Sequence, residues 1–327
     1  MAFDLRSLRS FVAVASTGSI SGAAQLQHVA QPALSVQIKQ LEEQLGTALF
    51  ERHARGVTLT SAGDRLLVHT IEVLRRLDVA FDDVRDAVDD PSGRVSIALP
   101  QSVAKFVTVP LVREVVLRWP KIQLQMVEMS TGYIPDQLMR GYIDIGVTFG
   151  VEDDVRMNFK HLIDEELVLV TSQRELLRLR LPPQRNRTDV ALRSIGSLPM
   201  ILPTVAHSLR RRIQTYLLEE NATLNVIAEV NAIPELIELV AAGVGSTILS
   251  YAAVNDHVVA GRLLMLRINN PQMIRSIYSC RSATLPMSIA ATKVQELLHE
   301  TIGHAVACGA WPHLLDGLGN SAGEEQV

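Results

Sequence analysis

A chain of 327 residues is longer than one hydrophobic core usually organises, so two or three domains are expected. Hydrophobic residues at 47% and charged ones at 20% exclude a disordered or fibrous chain, and a net charge of −4 excludes a protein held to nucleic acid by bulk positive charge alone. Two isolated cysteines, Cys280 and Cys308, exclude a disulfide framework, no apolar run reaches the ~20 residues that span a bilayer, and Asp4, Arg6 and Arg9 interrupt any signal core, so a reduced cytoplasmic chain without a membrane partner is expected.

Leu5, Leu8, Phe11, Val12 and Ala15 form a first helical stripe. Ser21 reads as the N-cap of a short second helix, whose Ala23 and Ala24 let another helix approach closely. A longer helix opens at Gln31 and Pro32, where proline needs no N–H partner. Leu34, Ile38, Leu41 and Leu45 then recur on one face, and Gly46 reads as a left-handed C-cap. The opposite face carries Gln31, Ala33, Ser35, Val36, Gln37, Lys39 and Gln40. These residue types suit a DNA major groove, because Gln bonds two edge atoms of adenine and Ala or Val meets a thymine methyl. The helix-turn-helix would span residues 20–39, and the alternative is a solvated face of a small bundle.

Leu49 to Thr60 reads as a short β wing with Arg55 and Gly56 at its tip. Arg52 and Arg55 would reach phosphates or the minor groove; the alternative is an ordinary exposed hairpin. Residues 1–60 hold five Lys or Arg and four Asp or Glu, so charge placement and self-association must supply much of the affinity.

From Thr60 a second long helix is predicted, capped near Ser61 and reaching about Val88. Leu66, Thr70, Val73, Leu77, Ala80, Val84 and Ala87 follow a heptad spacing, so the helix needs a partner, either its copy in a second subunit or the rest of its own chain. Asp89 to Gly93 breaks it.

Beyond Arg94 strands and helices alternate. Strands are expected at 94–99, 122–128, 143–149, 167–171, 200–202, 225–230, 245–249 and 275–282, and helices at about 102–118, 134–140, 208–219, 234–242 and 286–307. Residues 178–193 are polar and read as a surface excursion. The pattern gives two α/β lobes with parallel sheets, the chain crossing between them twice: lobe I about 94–164 and 271–307, lobe II about 165–270. Such lobes bind small molecules beyond their strand ends. The strand ends carry Gln101 and Ser102, Thr131 and Gly132, Phe149, Pro203 with Thr204 and His207, and Asn231. Free N–H groups where the helix opens at Gln101 favour an anion. Each residue taken singly is as well explained by a capping or turn role. Cys308 to Val327 reads as a disordered tail.

The stretches Leu5 to Phe11, Gly18 to Ile20, Ala23-Ala24, Gln31 to Ser35, Gln40 to Glu42, Leu45-Gly46 and Leu49 to Arg52 together resemble the winged helix-turn-helix of LysR-type transcriptional regulators. The portion up to about residue 300 resembles that family's effector-binding domain, which has the periplasmic-binding-protein fold, and Pro199 to Ser250 is similar to the nitrogen-assimilation-like branch. The resemblance implies a DNA-binding domain over 1–60, a dimerising linker helix over 61–90 and an effector-binding domain over 94–307. It implies double-stranded operator DNA, a small effector, and a second copy of the chain (a homodimer or homotetramer) as partners, and the helix opening at Gln101 favours an anionic effector. It also places Ser102, Thr131, Pro203 and Thr204 on effector-holding positions. Two departures stand out: Val36 replaces a frequent Arg, and Ala30 replaces a frequent Ser cap worth about 1 kcal/mol.

Enzyme readings find little support. His299 and His304 are five apart, so on a helix they diverge and hold a single zinc poorly. Gly243 to Ser246 lacks the Lys-Ser/Thr of a phosphate loop, and no Gly-x-Ser-x-Gly elbow occurs. No catalytic residue, metal or cofactor is therefore expected. The chain reads as a DNA-binding transcriptional regulator controlled by an effector between two lobes, with a solute-binding module that ignores DNA as the alternative.

Overall fold

The computed structural model describes residues 4–53, 56–84, 90–151, 154–178 and 189–312. At the N-terminus α1 (Leu5–Thr17), α2 (Ile20–Leu26) and α3 (Gln31–Leu45) close over a shared core of Phe11, Val14, Ala23, Ala24, Leu34, Ile38 and Leu41. The expected cap of α2 is displaced by two residues. Gly18, left-handed at φ 63°, ends α1, so the first extended residue is Ser19, whose Oγ accepts the Gly22 N–H at 3.2 Å. Ser21 sits inside the first turn, its Oγ 2.9 Å from that of Ser19. Ala30 caps α3 with no side-chain bond, and Gly46 ends it at φ 67° as expected.

β1 (Phe50–His53) and β2 (Gly56–Leu59) form the antiparallel wing. The Val57 N–H donates to Gly18 O at 2.8 Å, which pins the wing to the turn between α1 and α2. A Cβ at Gly56 would stand 2.3 Å from that same oxygen, at a φ of +140°, so only glycine fits. The Glu42 carboxylate accepts the N–H groups of Leu49 (2.8 Å) and Phe50 (3.2 Å), tying α3 to the wing.

The linker helix α4 (Ser61–Val84) starts with Thr60 Oγ1 accepting the Gly63 N–H at 3.0 Å. Its expected continuation to Val88 lies outside the described residues. The apolar stripe divides. Leu67 and Ile71 are buried, Ile71 in one cluster with Leu285, whereas Val68, Val73 and Phe81 are exposed. The Arg75 guanidinium meets Asp144 Oδ1 at 2.9 Å and donates to Gly141 O at 3.0 Å, so α4 is also fixed to its own C-terminal portion.

Lobe I contains β3 (Gly93–Leu99), α5 (Gln101–Arg118), β4 (Ile122–Glu128), α6 (Ile134–Met139) and β5 (Ile145–Phe149). β6 (Met157–Thr171) then leads into lobe II, which holds α7 (Gln173–Arg178), β7 (Asp189–Ala191), β8 (Pro199–Leu202), α8 (Ser208–Glu219), β9 (Asn225–Glu229), α9 (Ile233–Ala241), β10 (Thr247–Ser250), α10 (Tyr251–Val259) and β11 (Leu264–Asn269). β12 (Ile274–Ser282) and α11 (Ile289–Ala307) return to lobe I. β3 is parallel to β4 and β5, but β12 runs antiparallel to both β5 and β6, so the lobe I sheet is mixed instead of purely parallel.

β6 is the pivot. Through Glu166 it pairs with β12, and from Leu167 onward it pairs with β10 and β11. The sequence signals only its buried end, 167–171, because the first ten residues carry Lys160, His161, Asp164, Glu165 and Glu166 and show no apolar run. Two further expectations are corrected. The excursion at 178–193 ends in β7, with Val190 and Leu192 buried in the lobe II core; 179–188 lie outside the described residues. The tail beginning at Cys308 keeps Trp311 fully buried, its ring stacked on Phe106 at 4.9 Å and its Nε1–H donated to Glu165 Oε1 at 2.9 Å. Burial of one large aromatic outweighs the polar residues around it. Residues 313–327 lie outside the described residues.

Candidate DNA-reading helix and interlobe cleft

Gln31, Pro32, Ala33, Val36, Lys39 and Gln40 stand exposed along α3, with Ser21 and Arg52 exposed on α2 and the wing. Val36 is 53% exposed, so a β-branched apolar side chain points to solvent at mid-helix. Lys39 faces Glu43 at 3.5 Å, an i,i+4 pair weak enough to yield to a phosphate. Two predicted contacts fit less well. Ser35 is half-buried, and Gln37 turns inward, its Oε1 accepting the buried Ser10 hydroxyl at 2.8 Å. Ser10 comes from α1 and cannot be seen as a partner from the α3 stripe alone. Arg55 lies outside the described residues.

Between the lobes is a cleft of about 930 Å³. Gln101, Ser102, Gly132, Phe149, Thr204, His207 and Asn231, named from separate strand ends, all line it. Thr131 and Pro203 do not: both are buried, and the Thr131 hydroxyl has no hydrogen-bond partner among the described residues. Asn231 Oδ1 accepts both the N–H and the hydroxyl of Thr204 at 3.0 Å, locking two of the lining loops together. His207 caps α8 through Nδ1, which accepts the Leu209 N–H at 3.2 Å, so the neutral ring carries its proton on Nε2. Burial first, then the charges of Arg275 and Arg211, holds its pKa below the usual value and keeps it neutral.

Sequence reasoning missed Arg275, Lys105 and Ser250 in the lining. Arg275, only 5% exposed, pairs with the buried Glu165 at 2.5 Å, and its guanidinium lies 3.6 Å from the Phe149 ring centroid. A buried arginine is legible only through its partner 110 positions away. Lys105 on α5 meets Asp256 on α10 at 2.7 Å, an exposed ion pair between the lobes.

Elsewhere, His299 sits between Lys160 Nζ (3.0 Å to Nδ1) and the buried Ser279 hydroxyl (2.8 Å to Nε2). Burial and Lys160 depress its pKa to about 4. His304 is exposed, so the two histidines share no site. Among the described residues no group of three His, Cys, Asp or Glu is placed to hold a metal, and no helix is long and apolar enough to cross a membrane.

Comparison with known proteins decides the family. The LysR substrate binding domain matches residues 89–303, and the bacterial regulatory helix-turn-helix of the lysR family matches residues 5–64. The chain belongs to the LysR family. It is 31% identical over 304 residues to the nitrogen assimilation regulatory protein nac of Escherichia coli K12, spanning 93% of this chain and 96% of that one. A full-length OxyR variant from Pseudomonas aeruginosa shares the fold with a TM-score of 0.75 at 21% identity, over 92% of this chain and 95% of that one. Full-length CbnR, solved in complex with its target DNA, does so at 0.52 and 21%, over 92% and 100%. As a LysR-family protein, the chain is a DNA-binding transcriptional regulator whose α/β portion is an effector-binding domain.

Proposed function

We propose that α3 is the base-reading helix, lying in the major groove with Gln31, Ala33 and Val36 at base edges, Lys39 and Arg52 at phosphates, and Ser21 beside the backbone. The observation that supports this most directly is the unbroken exposed row on α3, held by a core that Phe11, Leu34 and Ile38 complete beneath it. Two copies of the chain would pair through the exposed Val73 and Phe81 of α4, and the resulting dimer, or dimer of dimers, would set the spacing of two reading helices. A small effector in the interlobe cleft would touch Gln101, Ser102, Phe149, Thr204, His207 and Asn231. By preferring one lobe arrangement it would shift that spacing. The protein works in the cytoplasm and performs no catalysis: in the cleft His207 serves as a helix cap, and Lys105 and Arg275 are held in ion pairs.

A gel shift tests this reading. A fragment from immediately upstream of the chain's own gene should be retained at salt concentrations that release unrelated DNA of equal length. Equal retention of the two fragments would remove sequence reading from the function. In the companion measurement, Phe81→Glu should lower the sedimenting mass of the full chain, and an unchanged mass would place the self-contact elsewhere.

A further inference from the structure

We infer that the cleft takes a small organic monocarboxylate, its carboxylate received by Arg275 and the Ser250 hydroxyl and its apolar body laid against Phe149, Leu209 and Leu249. The inference rests on reading the cleft as the effector site and names the chemistry of that site.

Ser250 carries the first part. It is 2% exposed, it lines the cleft, and its hydroxyl has no hydrogen-bond partner among the described residues. An unmade bond at a buried hydroxyl is unfavourable, and a ligand oxygen would recover it. Ser250 also occupies the N-cap position of α10 without capping it, so the first N–H groups of that nine-residue helix lie at the same spot.

Arg275 carries the second. Nε and Nη2 are spent on Glu165 Oε2, while Nη1 makes no hydrogen bond among the described residues. The register places both donors beside β6. Arg275 stands opposite Glu165 on β6, and Ser250 stands opposite Leu167, two residues further along the same strand. His207, which feels the Arg275 charge, adds a neutral Nε2–H from the facing lobe.

Charge limits the ligand. Glu165 already neutralises Arg275, and Asp256 already neutralises Lys105. Arg211 remains, opposed by Glu128 in the same lining. Such a site holds little uncompensated positive charge, so it penalises a carboxylate with one negative charge less than a phosphate carrying two. Phe149, Leu209 and Leu249 supply an apolar wall that a bare anion leaves unused.

The test uses the full chain, with thermal unfolding read at equal millimolar concentrations of phenylacetate, phenylacetamide and inorganic phosphate. Phenylacetate should raise Tm; the uncharged amide and phosphate should not. Arg275→Lys keeps a cation against Glu165 but loses the planar fork, and it should weaken phenylacetate binding by about tenfold. Ser250→Ala removes a hydroxyl without a partner, so the fold keeps its stability while phenylacetate binds several-fold more weakly. No shift with phenylacetate, an equal shift with its amide, or a shift with phosphate alone overturns the ligand class. Unchanged phenylacetate binding in both variants overturns the assignment of residues, and Ser250→Ala decides alone if Arg275→Lys does not fold. The upstream-fragment gel shift is run on the same samples. Retained DNA binding without a phenylacetate response sinks only this inference, whereas lost sequence preference sinks the regulator reading itself.

Discussion

On α3 the residues offered outward come from one run of ten positions and make few bonds to the protein. The cleft instead gathers side chains from positions as far apart as Gln101 and Arg275, and several of them, such as Thr204 with Asn231, Lys105 and Arg275, are already engaged by the protein. The first surface is a periodic pattern left unfinished for a partner. The second is a network that the protein has closed on itself in part. Substitutions should therefore weaken α3 one contact at a time, while in the cleft a single change disturbs several elements.

The largest effects probe whether the two regions are separate at all. Phe11 is fully buried and packs on Phe50 at 5.3 Å in the helical domain, and Phe11→Ala should cost about 3–5 kcal/mol there. Trp311 reports from the other region, so its fluorescence in urea should hold to the original midpoint while DNA binding fails; a common shift of both would make the chain one unit. Glu165→Ala should do the converse. It strands the Arg275 charge and the Trp311 Nε1–H, a loss of about 3–5 kcal/mol in the transition Trp311 sees, with the α-helical domain untouched.

Gln31→Ala is next, at about 1–3 kcal/mol on the specific fragment and little on random DNA. An equal loss on both would turn α3 from a reader into a phosphate binder. Ala30→Ser should add about 1 kcal/mol of thermal stability by supplying the side-chain cap that α3 lacks. The smallest effect at neutral pH belongs to His299. Its folded pKa lies at about 4, below the ordinary 6.5, so the unfolded chain takes up a proton first as pH falls. Stability should drop across that window, and His299→Gln should flatten the drop.

The contrast also explains what the sequence could tell. Spacing alone located α3 to the residue, because a stripe of Leu34, Ile38, Leu41 and Leu45 lies within one helix. The strand ends of the cleft were legible for the same reason: Ser102, Phe149 and His207 each adjoin an apolar run. Thr131 and Pro203 adjoin such runs too and still fall behind the wall, since adjacency does not give direction. Gln37, Ser19 and Arg275 were misread or missed because their roles depend on Ser10, on Gly18 and on Glu165, partners that folding supplies. Trp311 escaped notice because its pocket is built by Phe106 and Glu165, more than a hundred positions earlier.

β6 runs for 15 residues through the boundary at Glu166 and Leu167 without interruption. A ribbon bonded to partners in both lobes acts like a torsion bar: the lobes reorient by twisting it, and the restoring force grows with every ladder bond they share. Motion of that kind is small in amplitude and stiff, and melting one lobe strips hydrogen bonds from the other, so the pair should denature in a single cooperative event.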